Sequence, residues 1–166
     1  MKRLLGVDLG EKRIGLAIAD ADGGRAQPLT TVRRAEDPAA DAENIGRVAS
    51  ERSATELVVG LPLEASGIEG RQAEITRAWV AAVVPYLRLP VTLRDERLTS
   101  YLAEQRLGPM KRGRSGGPPT RTQRNAHRAR VDREAAAIIL QDELDARAAQ
   151  PNEGPRPIDH GMETNE

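Results

Sequence analysis

No cysteine occurs in the 166 residues, which excludes disulfides, thiolate zinc sites and thiol catalysis. Phenylalanine is absent as well, and Trp79, Tyr86 and Tyr101 are the only aromatic residues. The core must therefore be built from Leu, Ile, Val and Ala, and a stacking platform for single-stranded bases is disfavoured. No apolar run approaches the roughly 20 residues that span a bilayer. The opening MKRLLGVDLG meets a carboxylate too early for a secretory leader, so the expected location is the cytoplasm. Acid is missing from one stretch: eight Lys and Arg stand between Arg106 and Val131 without any Asp or Glu, in a chain of zero net charge. Such a block suits a phosphate-binding footprint and a solvated loop equally well.

What is present fits one α/β domain over residues 1–150, with a disordered tail over 151–166. Two short apolar runs, Arg3 to Leu9 and Arg13 to Ala19, flank Gly10-Glu11-Lys12 and read as a hairpin. A third strand is expected over Gln27 to Arg33. Asp37-Pro38 then offers an N-cap and a proline at the first helical position. Strands at Glu56 to Leu61 and Val91 to Asp95 alternate with helices at Gly70 to Leu87 and Thr99 to Leu107, the last capped by Thr99. Residues 108–120 read as a Gly/Pro loop, and a final helix begins between Arg121 and Arg130 and continues to about Ala149. The order β-β-β-α-β-α-β-α predicts a mixed five-stranded sheet with helices on both faces. The RNase H-like fold is prominent among the folds with that order.

Three acidic features could carry chemistry. Asp8 sits inside an apolar strand, where a carboxylate is costly unless paired or bound to a cation; it equally fits a strand end that caps the Gly10 turn. Asp95-Glu96 follows the fifth strand, at the kind of strand end where ligands gather, or it is a solvated acidic pair. Asp132 shares a helix face with Ala135, Ala136 and Ile139, or it sits near a helix start and favours its dipole. Glu134 and Asp142 fall on other faces and read as solvated. Taken together, carboxylates converging from separate elements suit divalent-metal cleavage of phosphodiesters, and oxygen ligands suit Mg²⁺ or Mn²⁺. His127 and His160 read as surface residues, with His127 near enough to the basic block to touch phosphate.

Four segments, GVDLGEKRIGLAIAD (6–20), VVGLPLEASGIEGRQAE (58–74), DERLTSYLAE (95–104) and VDREAAAIILQ (131–141), strongly resemble the YqgF/RuvX family of RNase H-like proteins. The resemblance covers most of residues 4–143. It implies an RNase H-like nuclease domain related to the RuvC resolvase, acting in maturation of the 5′ end of pre-16S rRNA, with resolvase activity on DNA as an alternative. It also implies an acidic triad of Asp8, Glu96 and Asp132 as catalytic and metal-binding residues, with Asp95 as alternate to Glu96. Arg13, Arg97 and Thr99 become contacts for substrate or for the strand end, and Gly60, Pro62 and Gly67 a backbone-lined loop beside the acids. The implied partners are structured precursor rRNA and the small ribosomal subunit, with Arg112, Arg114, Arg121 and Arg124 steering the backbone, and the implied state is a monomer or weak homodimer. A non-catalytic RNA-binding factor on the same fold is a third reading. An actin- or hexokinase-type nucleotide site, which the DLGEKRIGLAI hairpin also resembles, would need a second similar domain to close it.

Overall fold

The computed structural model describes residues 2–113 and 115–150. Arg114, His160 and the tail expected over 151–166 lie outside them. The strands are β1 (Arg3–Leu9), β2 (Arg13–Asp20), β3 (Gln27–Arg33), β4 (Ala54–Pro62) and β5 (Val91–Glu96). The helices are α1 (Pro38–Glu51), α2 (Arg71–Leu87), α3 (Thr99–Leu107) and α4 (Arg121–Ala149). The sheet runs β3-β2-β1-β4-β5. The first three strands pair antiparallel, and β4 and β5 add in parallel after helical crossovers, which is the expected RNase H-like arrangement.

Alternation along the strands divides the side chains between two faces. Leu5, Val7, Leu16, Leu57 and Val59 pack with Ile45 of α1 and Trp79 of α2 into the larger core. On this side the buried Asp41 of α1 joins the two helices and the preceding loop. It accepts hydrogen bonds from Trp79 Nε1 at 3.0 Å and from the Ala35 amide at 2.7 Å. Asp37 caps α1 through the Ala39 amide, ahead of Pro38, as expected.

The other face receives α4. Leu4, Ala17 and Val58 of the sheet meet Ala136, Ile139 and Leu140 of the helix. The approach is close because the strands carry glycine where the helix lies. A Cβ on Gly6 would stand 2.7 Å from the Ala136 carbonyl oxygen, and one on Gly15 would run into the Asp132 backbone. α4 opens on a capping box, in which Thr120 accepts from the Gln123 amide while the Gln123 side chain accepts from the Thr120 amide. That T-x-x-Q signal fixes the helix start at Arg121, the early end of the expected range. At its far end Arg147 pairs with Glu56 of β4 and Glu143 of its own helix. Among the described residues no helix is long and apolar enough to cross a membrane.

Candidate active site

The register of the sheet gathers the acids. Asp8 lies opposite Gly15 in the β1–β2 ladder, and Gly15 is the residue on which the Asp132 backbone rests. The glycine contact thus lays Asp132 beside Asp8 from the helix side. On the other flank, β1 pairs with β4 through Val7 and Val59, and β4 with β5 through Gly60–Arg94 and Pro62–Glu96. Two-residue alternation then turns Glu96 to the α4 face and Asp95 away from it. Glu96 is 8% exposed, whereas Asp95 is exposed and lies off the cavity that Glu96 lines. With the strand running one residue past its expected end, Glu96 and not Asp95 faces the cavity.

Asp8, Glu96 and Asp132 line one cavity of about 440 Å³, with Gly60 and Pro62 as backbone-rich wall. Burial pushes the Asp8 carboxyl up to about 7, with the Asp132 charge acting in the same direction. Glu96 also rises to about 7, chiefly through burial, against the pull of its hydrogen bond from Thr99. Thr99 Oγ1 donates to Glu96 Oε2 at 2.9 Å. Glu96 Oε1 is buried without a partner, and the neighbouring Asp142 carboxylate raises the Glu96 pKa further. Asp132 accepts from Arg13 Nε at 2.8 Å; burial raises its pKa despite that guanidinium. Among the described residues no three His, Cys, Asp or Glu stand close enough together to form a metal cage with their present side-chain positions. The three acids share a cavity, with Asp132 held by Arg13 and Glu96 by Thr99.

Thr99 departs from its expected role as helix cap and takes the other expected of it, holding the strand end at Glu96. The N-cap of α3 is Leu98, whose φ of 56° is unusual for a branched side chain, and the Thr99 hydroxyl serves Glu96 instead of the helix. Leu98 and Tyr101, both exposed, form an apolar lip on the acidic cavity. Of the expected substrate contacts, Arg13 is at the site, through Asp132. Arg97 is not; its guanidinium lies over Gly67. Arg112 donates to the Gly116 carbonyl at 3.5 Å and Arg124 to the Pro119 carbonyl at 2.6 Å, so both fold the loop before α4. Arg121 lines a separate basin with Arg13. His127 and Arg128 border a further cavity that reaches Asp132.

Two features were missed in the sequence. Asp142, read as solvated, stands near Glu96; its position one turn beyond Ile139 on the sheet-facing helix was the available signal. Gln72 at the start of α2 lines the acidic cavity, and nothing in its local sequence marks it.

Fold and site together define an RNase H-like domain with an acidic cleft at one end of its sheet. The chain belongs to the RuvX family: residues 2–146 match the family described as RuvX, Holliday junction resolvase. A protein of Chloroflexus aurantiacus named "Putative pre-16S rRNA nuclease" is 43% identical over 149 residues, 90% of this chain and 90% of that protein. A protein of the same name from Anaeromyxobacter sp. strain K is 47% identical over 147 residues, 88% of this chain and 98% of that protein. Among solved structures, T. thermophilus RuvC in complex with a Holliday junction substrate aligns with a TM-score of 0.46 at 16% identity, over 90% of this chain and 97% of that one.

Proposed function

We propose that the protein is a divalent-cation-dependent endonuclease that trims the 5′ end of pre-16S rRNA, with Asp8, Glu96 and Asp132 as its catalytic carboxylates. The observation that carries this reading is their convergence, from β1, β5 and α4, on one cavity. The buried, unpartnered Glu96 Oε1 supports a cation there, because an orphaned carboxylate oxygen is costly without a proton or a positive charge beside it. The all-oxygen donor set suits Mg²⁺ or Mn²⁺. Asp8, Glu96 and Asp132 would hold the ion. When bound, a divalent cation lowers the pKa of attacking water and offsets the charge developing on the phosphoryl oxygens.

The chain's own groups do the rest. Thr99 fixes the Glu96 carboxylate, and Arg13 fixes Asp132 through its Oδ2 while presenting a positive charge beside the cavity. Arg128 borders the adjoining cavity at Asp132, where a phosphodiester backbone could lie. The names of the relatives favour precursor rRNA, and the small ribosomal subunit is the natural setting for that substrate. The family description favours four-way DNA junctions as the second reading.

One assay addresses both. A transcript carrying the 5′ leader of 16S rRNA and a four-way DNA junction are each incubated with Mg²⁺ or Mn²⁺ and with wild type or Asp8→Asn. Cleavage of the transcript should fall by roughly a hundredfold or more in the variant, beyond the 10–100-fold typical of an outer partner of a metal site. Equal cleavage by a folded Asp8→Asn protein removes the site assignment, and cleavage of the junction alone replaces the substrate.

A further inference from the structure

Beside the acidic cavity, on the β2–β3 flank, lies a larger basin of about 720 Å³. Lys12, Arg13, Arg33, Arg34 and Arg121 line it, with one acid, Glu11. Arg13 is the link between the two: it lines the basin while its Nε holds Asp132, which lines the acidic cavity. Among the described residues Lys12, Arg33, Arg34 and Arg121 make no ion pair.

This charge is built into regular structure. Arg13 and Arg33 are direct partners in the β2–β3 ladder, and like charges placed opposite each other destabilise a sheet. Lys12 adjoins the pair, and its carbonyl accepts from the Arg34 amide at 2.9 Å. The Arg34 guanidinium donates to the Gly10 carbonyl at 3.1 Å, and the Gly10 amide donates to the Arg13 carbonyl at 2.8 Å. The turn and the end of β3 are thus tied together, and the cations face one hollow in which Arg13 alone has a carboxylate to offset its repulsion with the rest. An anion with several spaced charges would relieve the repulsion that remains. The acidic cavity, tied to the basin through the Arg13–Asp132 bond, makes a phosphodiester backbone the anion that fits.

We propose that the basin is a second backbone-binding site, in which Lys12, Arg33, Arg34 and Arg121 grip a nucleic-acid strand past the bond to be cut. The inference rests on the nuclease reading. It makes the substrate one whose backbone continues across the β1–β2 turn, and it moves much of the affinity from the basic loop before α4 to the rigid end of β2 and β3.

The test is equilibrium binding by fluorescence anisotropy, without divalent cation, across a series of KCl concentrations. The probes are a labelled RNA hairpin with a long single-stranded 5′ extension and its DNA counterpart. Loss of two phosphate contacts in Lys12→Gln/Arg33→Gln should flatten the slope of log K against log salt by roughly 1.4 to 1.8. A flatter slope with both probes indicates contacts to phosphate alone, and with one probe contacts that also sense the sugar; either supports the basin. The charge-keeping Lys12→Arg/Arg33→Lys protein should retain the wild-type slope, which separates lost contacts from lost folding. A wild-type slope in a folded Gln variant overturns the basin and leaves the nuclease reading standing. Salt-dependent binding absent from wild type itself overturns both.

Discussion

Asp8 and Glu96 each sit near pH 7 because the fold removes them from water without supplying enough partners. A carboxyl raised in the folded state stabilises the protein fully below its unfolded value, near 4, and loses that contribution as pH rises through about 7. Above pH 7 the cation-free protein therefore holds a strained, charged site. Asp8→Asn should be more stable than wild type at pH 8 and lose that advantage as pH falls to about 4, as urea melts would read. Ligands must be ionised to hold a metal, so Mn²⁺ affinity measured by calorimetry should rise by roughly tenfold per protonated acid between pH 6 and pH 8. Affinity unchanged over that range would mean the two acids are not the ligands. At this scale the sequence pointed to the three acids that share the cavity, and preferred Glu96 while keeping Asp95 as its alternate. The choice depends on where β5 ends, and strand ends are uncertain by a residue or two from sequence. Thr99 was open between capping its helix and holding the strand end, and its hydroxyl turns to Glu96.

At the scale of elements, the site depends on how deeply α4 settles on the sheet. Gly15 is the sensitive point, since the obstacle to a Cβ there is the Asp132 backbone rather than a side-chain tip that could swing aside. Gly15→Ala should lift the helix, cost about 1–3 kcal/mol by overpacking, and suppress cleavage more than the stability loss explains. Parallel urea melts and cleavage rates check this. Full activity in the variant would show that α4 has freedom the packing denies. The strands, their succession along the chain and the four helices were legible because apolar spacing and turn residues are local signals. The glycine contacts were not, because a glycine inside a strand pattern says only that something approaches closely, not what does.

The whole molecule separates its two cores. α1 and α2 cover one face of the sheet and hold no acid of the candidate triad, while α4 covers the face where all three converge. Asp41 is the polar tie of the first layer, and removing it leaves Trp79 Nε1 and the Ala35 amide without their acceptor. Asp41→Ala should cost about 2–4 kcal/mol in urea unfolding, with the cation affinity of the surviving folded fraction unchanged. A parallel loss of affinity would mean that the layers are coupled through the sheet.

The Arg13–Asp132 bond joins residues 119 positions apart in the chain. Neither partner can reach its place until β2 is in the sheet and α4, the last of the described helices, has docked across it. The cleft is complete only when nearly all of the described chain has folded, so a truncated or half-folded chain has no assembled acidic site.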